Sequence, residues 1–242
     1  MKKRWKKINR GLLLGAVLLV GLVGFIVFKE VQFRQELPKI RESAEAYVQD
    51  LLALNVSLEG EELGKDLTDE QRAQKQAALE KLISERMTTG DNSTGNGYDV
   101  FSASELRANY EEMLEGAPAT LFRNLEFDIP ENRIEVTAEG NDYAYVSIYL
   151  QNISVEACGM IDQMFGGEST KYYYDVEIYD KEIAEGEEFE NHIDKTWYTC
   201  TFGGNAMLQM QRVDGEWKVT GVYCYTWSQS VREINEKEAI KE

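Results

Sequence analysis

Arg212-Val213-Asp214-Gly215-Glu216-Trp217-Lys218-Val219 is the stretch on which the fold turns. Asp-Gly is the pair that a two-residue type I′ turn selects, because both central residues take positive φ, and strand formers flank it here. A turn at 214–215 sets 213 opposite 216. Upstream, Gly203-Gly204 reads as a second two-residue turn with 202 opposite 205. Two turns define three antiparallel strands, and their registers follow by counting. One face collects Trp197, Thr199, Thr201, Ala206, Leu208, Met210, Trp217, Val219, Gly221, Tyr223 and Tyr225. The other collects Thr196, Gln209, Gln211, Glu216, Lys218 and Thr220, with Tyr198, Phe202, Met207 and Val222 as exceptions. The mainly apolar face is expected inside, since a one-residue slip turns every side chain over.

The same register places Cys200 and Cys224 on the more polar face with Cα atoms more than about 10 Å apart, too far for a disulfide between them. Three cysteines (Cys158, Cys200, Cys224) allow at most one internal bridge. No Cys-x-x-Cys spacing exists and His192 is the sole histidine, so a zinc site or a histidine-based triad has little to be built from.

Further upstream, Arg133 to Ala138 and Tyr143 to Asn152 flank Glu139-Gly140-Asn141-Asp142 as a hairpin, with Val146, Ile148 and Leu150 on one face. Residues 153–170 read as irregular, with a short helix near 160–165; 171–179 alternates as a strand, and 180–194 is an acidic loop. Before residue 120 the period is helical. Ile40, Ala44, Tyr47, Val48, Leu51 and Leu52 form one apolar face of a helix over 38–55, opened by Pro38, whose missing N–H costs nothing in a first turn. Thr68 with Gln71 is a capping box opening a helix at 69–87, with a narrower stripe of Leu79, Leu82 and Ile83. Ser102 with Glu105 is a second box, opening a helix at 102–115 that buries Leu106, Tyr110, Met113 and Leu114 and ends at Gly116. Tyr98 to Phe101 is a short strand. The polar loop 88–97 fails as a calcium loop: Asn96 stands where glycine is required and Ser102 where an acid should close it.

The N-terminus reads as a membrane anchor. Residues 1–10 carry six cations and no acid, and 11–28 run without a charged side chain. At about 1.5 Å per residue that run covers roughly 27 Å, close to a hydrocarbon core of about 30 Å. Flanking lysine and arginine favour the cytoplasmic side, so the bulk of the chain is expected outside the cytoplasm, in the cell membrane as a single-pass protein. Gly24-Phe25-Ile26-Val27-Phe28 fills with bulky residues the places where a signal peptidase needs small ones, and a lipid-modified start has no cysteine. Gly11 and Gly15 form a Gly-x-x-x-Gly pair of the kind that lets two anchors pack into a homo-oligomer, although glycine is common in such helices.

With six of the 26 cations in the leader and all 43 acids beyond residue 28, the outer part carries −23. Such a surface excludes binding to nucleic acid or to anionic lipid heads. The expected organisation is a basic leader (1–10), an anchor (11–28), a stalk (29–37), one domain (38–228) and a charged tail (229–242). Asn55, Asn92 and Asn152 head Asn-x-Ser/Thr triplets, read as chance.

Two helices, a short strand, a third helix and an antiparallel run ending in Asp214-Gly215-Glu216-Trp217-Lys218-Val219 resemble the nuclear transport factor two-like superfamily, the cystatin-like cone. The resemblance covers about residues 38–228. It implies an α+β fold: three helices packed on a strongly curved antiparallel sheet, behind a transmembrane helix. A short leader, one membrane helix and an outer cone are similar to the inner-membrane scaffold subunits of bacterial conjugation and type IV secretion machines, and similar cones serve as spacers in cell-wall transpeptidases. That comparison implies a scaffold or interaction role with other envelope proteins as partners. Cones that are enzymes, such as the ketosteroid isomerases, need an acid or base inside the apolar pocket. The inner face described above holds no carboxylate, Lys195 and Arg212 stand at its rim, and Asp175 and Glu177 point outward. No catalytic residue, metal site or cofactor is therefore assigned. The alternative is a small-ligand or peptide pocket on that face, lined by Trp197, Met210, Trp217, Tyr223 and Tyr225.

Overall fold

Between residues 10 and 53 only Pro38 has the chemistry to stop a helix, and the computed structural model shows that it does not: α1 (Arg10–Ala53) runs 44 residues with Pro38 inside. The structure describes residues 10–89, 101–138, 142–159 and 196–234. The expected start of a new helix at Pro38 is thus corrected: one helix runs through 29–37 and on past Pro38. An internal proline removes one N–H and crowds the carbonyl four residues back, at about 3 kcal/mol. Here that carbonyl belongs to Arg34, and both Arg34 and Pro38 are exposed, so water can serve it. Packing immediately beyond offsets the loss, because Ile40, Ala44, Tyr47, Val48, Leu51 and Leu52 are all at 0 % exposure.

Both capping boxes form. Thr68 and Gln71 open α2 (Asp69–Arg86), which buries Leu79, Leu82 and Ile83. Ser102 and Glu105 open α3 (Ala103–Glu115), which buries Leu106, Tyr110 and Leu114 and leaves Met113 half-buried against the core. The sheet comprises β1 (Thr120–Glu126), β2 (Ile134–Ala138), β3 (Tyr143–Gly159), β4 (Trp197–Val213) and β5 (Glu216–Glu233). Its order is β1-β3-β4-β5, all antiparallel, with β2 also on β3. A 3₁₀ turn, Glu131–Arg133, precedes β2. The inward sides of α1, α2, α3 and the sheet share one apolar cluster.

The Asp214-Gly215 turn is as expected, with φ of 52° and 89° and Val213 opposite Glu216. The other register inferences need correction. Gly203 and Gly204 are not a turn but lie in the middle of β4, because close packing rather than chain reversal requires them. A Cβ on Gly204 would stand 2.6 Å from the Tyr225 carbonyl oxygen and 3.3 Å from Leu150. β3 does not end at Asn152. A register shift between Leu150 and Ile153, with Asn152 at φ 56°, carries it to Gly159 and onto β1, an unanticipated strand.

A shift between Gln209 and Met210 inserts Thr220 into β5 as an extra residue. A bulge reverses which residues face inward beyond it. Trp217 and Val219 are therefore buried as expected, but beyond the bulge Val222 and Cys224 take the inner face and Tyr223 and Tyr225 the outer one. All three cysteines are buried, and none is in a disulfide. Cys200 and Cys224 are unbonded as expected, although they lie in the core and not on the polar face. The expected strand 171–179, short helix 160–165, acidic loop, most of the 88–97 loop and strand 98–101, and residues 139–141 of the hairpin turn lie outside the described residues. Phe101 itself bridges to Val222.

Candidate functional site

Three features of the described chain are candidates: the junction between anchor and domain, a small cavity, and the outer face of the sheet.

The junction is built on Glu36. Trp217 Nε1 donates to Glu36 Oε2 at 3.2 Å, Lys39 Nζ donates to Oε1 at 3.2 Å, and Arg212 stands 3.7 Å away. About two turns further up, Ser43 Oγ donates to the Trp217 carbonyl at 2.6 Å. Partial burial pushes the Glu36 carboxyl up, but the Trp217 and Lys39 hydrogen bonds and the Arg212 charge outweigh it and hold the group below its ordinary value. The Asp-Gly hairpin thus clamps α1 about 12 Å beyond Phe28, at 1.5 Å per residue. Below the clamp, Leu18, Val20, Leu22 and Phe25 are 58–69 % exposed on a helix long and apolar enough to cross a bilayer.

A cavity of about 120 Å3 lies where the end of α1, α2, the end of α3 and β1 meet, lined among others by Leu54, Ser57, Glu61, Lys75, Met113 and Phe122. Lys75 Nζ lies 3.0 Å from Glu61 Oε1, with side-chain exposures of 10 % and 2 %. The pair is closed on itself. Lys75 also donates to the Val56 carbonyl at 3.4 Å, and Glu61 Oε1 accepts the Leu58 N–H at 2.9 Å. Nearby, Tyr110 donates to the Leu54 carbonyl at 2.9 Å, and burial, helped by the Glu61 charge, pushes its phenol well above the ordinary value. The arrangement clasps the chain after α1 to α2. The sequence carried a signal for it: Lys75 stands four residues before Leu79, on the apolar stripe that continues through Leu82 and Ile83.

The five residues expected to share an inner pocket do not come together. Met210 and Trp217 are core residues at 1 % and 5 % exposure. Trp197 stands at the far end of β4, opposite Cys158, with the Arg123 guanidinium 3.9 Å over its ring. Tyr223 and Tyr225 face outward. The space between α1 and the inner face, which a ligand pocket would need, is filled by Tyr47, Phe202, Ile148 and Leu208. Gly11 and Gly15 are exposed on α1, and a Cβ on Gly15 would meet nothing. Among the described residues no group of three His, Cys, Asp or Glu side chains is placed to hold a metal ion. Asp175, Glu177, His192 and Lys195 lie outside them.

On the outer face, Tyr223, Tyr225 and Trp227 form a row with centroids 5.5 Å apart at each step. Tyr145 and Tyr149 of β3 extend it, and Asn205 Nδ2 donates to the Tyr225 hydroxyl at 2.6 Å. Compared with family models, with curated proteins and with solved structures, the chain matches none.

Proposed function

We propose that the chain is a membrane-tethered, extracytoplasmic scaffold or interaction domain of the bacterial cell envelope, without catalysis of its own. The observation that carries this reading is the unbroken passage of α1 from an exposed apolar segment into the core, clamped on the way by Trp217 and Ser43. A domain that only needed to be near a membrane would be served by a loose linker. A rigid mount suits one whose height and orientation must be held for partners. The basic leader supports a cytoplasmic N-terminus with the −23 domain outside. The filled interior favours a scaffold over a carrier of small ligands. Strands of 17 and 18 residues with bulges at Asn152 and Thr220 suit a sheet that bends around its helices, as in the cone fold.

The test is a topology assay on the full chain. Alkaline phosphatase fused after Glu242 should be active and membrane-bound, and protease added to spheroplasts should digest the domain. A soluble, shortened product, or an inactive fusion protected from protease, overturns the tethered extracytoplasmic reading. Cross-linking from single exposed positions on the domain should then capture envelope proteins.

A further inference from the structure

The outer face of β3, β4 and β5 carries no charged side chain across its central rows, although the chain is strongly acidic. Its cross-strand rows are Tyr145, Gln209 and Gly221; Ser147, Met207 and Tyr223; Tyr149, Asn205 and Tyr225; then Gly203 and Trp227. None of these residues carries a charge, in a chain of net charge −17. Charges begin at the margin, with Glu135 beside Ser147 and Lys218 toward the hairpin. Tyr149 and Trp227 are 43 % and 41 % exposed. Contiguous aromatic surface of this kind marks an interaction site on a soluble domain.

Four observations narrow what such a face takes. The absence of charge at its centre, on a chain that repels anions elsewhere, favours a neutral partner. Within these rows β4 is paired on both sides and β5, the edge strand, only with β4, so the middle of the face offers side chains and not open backbone. Those side chains combine ring faces with an amide and a hydroxyl, Asn205 and Ser147, both half-buried, while Gln209 is buried. Tyr223, Tyr225 and Trp227 follow one another along β5 with rings tilted by 57° and 35° from one to the next, and such a row fits an extended polymer better than a compact molecule. Glycine helps to shape it, since a Cβ on residue 203 would stand 3.1 Å from the Trp227 ring and 2.4 Å from the Gln229 amide. With no side chain at 203, the indole settles onto the sheet.

We infer that this face binds a neutral, β-linked polysaccharide strand, with Tyr223, Tyr225 and Trp227 stacking on successive pyranose rings. A pyranose in such a chain presents C–H faces above and below and hydroxyls around its rim, so it needs aromatic platforms beneath and amides beside it. An aromatic quadrupole attracts the partly positive C–H bonds. This inference rests on the extracytoplasmic reading, because glycan strands of the envelope lie on that side.

The experiment is calorimetric titration of the full chain, held in a detergent without a sugar headgroup, with cellohexaose and chitohexaose. Maltohexaose and a polyproline decapeptide serve as comparisons. At least one β-linked hexaose should bind, with little change from about 0.05 to about 0.5 M salt, as screening leaves a neutral ligand unaffected. Trp227→Ala should weaken binding about tenfold, and Tyr225→Ala by a similar factor. Gly203→Val should weaken it by lifting the indole. Protection of the three buried cysteines from alkylation reports that each variant is folded. Binding of neither hexaose, binding indifferent to Trp227→Ala and Tyr225→Ala, or a Trp227-dependent preference for the polyproline peptide overturns the inference. None of these results depends on which side of the membrane the domain occupies, so a null leaves the topology assay to stand or fall alone.

Discussion

Replacing Lys75 by methionine isolates its ion pair with Glu61 beside the cavity. The substitution keeps an unbranched stem of similar length on the apolar stripe of α2 and removes only the ammonium. Glu61, at 2 % side-chain exposure, then loses its cationic partner. Its other hydrogen bond, from the Leu58 N–H at 2.9 Å, does not neutralise it. Breaking a buried pair from one side costs about 3–5 kcal/mol, most of it the penalty of the remaining charge. With a urea slope of about 2 kcal/mol/M for a domain of this size, the unfolding midpoint should fall by about 2 M. The discriminating comparison is Lys75→Met with Glu61→Leu. Removing both charges should recover most of the loss, leaving about 1 kcal/mol for the Leu58 N–H that no longer has its acceptor. Urea unfolding of the full chain in detergent, followed by tryptophan fluorescence and by circular dichroism, gives all three values. A single variant that loses less than about 1 kcal/mol, or a double variant no better than the single, refutes the claim that a desolvated charge pair holds this corner.

Burial pushes the thiols of Cys200 and Cys224 up to about 11 and about 12. At pH 8 roughly one thiol in a thousand or fewer is then ionised, and alkylation of the native chain should be negligible, with three equivalents taken up only after denaturation; rapid native labelling or a disulfide in the peptide map would count against the core assignment. The Glu105 carboxyl is held below its ordinary value by the hydrogen bonds it accepts from Ser102, and that of Glu80 by the hydrogen bond from Arg107. A folded-state value below the unfolded one, about 4.3, gives stability that is present above that pH and lost as the pH falls through the lower folded value. Glu105→Ala should therefore destabilise by at most about 1 kcal/mol at pH 7, and thermal midpoints of variant and parent should converge toward pH 3; a constant gap from pH 7 to pH 3 contradicts the cap. Gly204→Ala drives a methyl group to 2.6 Å from a backbone oxygen and should cost about 1–3 kcal/mol, whereas a neutral result in thermal unfolding would put the glycine back in a turn.

What could be read from the sequence follows from which signals are local. Capping boxes at Thr68 and Ser102, the apolar face from Ile40 to Leu52 and the Asp-Gly turn each depend on a few neighbouring residues, and each appears in the structure. Bulges do not announce themselves this way. Thr220 fits a strand as well as any β-branched residue, and nothing near it says that it lacks a partner on β4. That one uncounted residue exchanged Tyr223 and Tyr225 for Val222 and Cys224, and so moved an aromatic row from the expected interior to the exterior. Gly203-Gly204 misled for a related reason: glycine serves both chain reversal and close approach, and only the position of Leu150 and Tyr225 distinguishes the two. Lys75 was legible as a cation on an apolar stripe, but Glu61, fourteen residues earlier in a loop, carries no periodic signal to pair it with.

Pro38 and the Glu36 clamp together remove the swivel that a separate stalk would have supplied. A 44-residue helix is about 66 Å long, and its upper portion is bolted into the core. Any change in how the lower portion leans in the bilayer must therefore swing the whole domain through the same angle. Transmembrane helices lean by about 20° on average and adjust to the thickness of their membrane. With α1 in a membrane as proposed, the domain inherits its pose from the lipid around that helix, and a thinner or thicker bilayer would re-aim the aromatic face without altering a single contact within the fold.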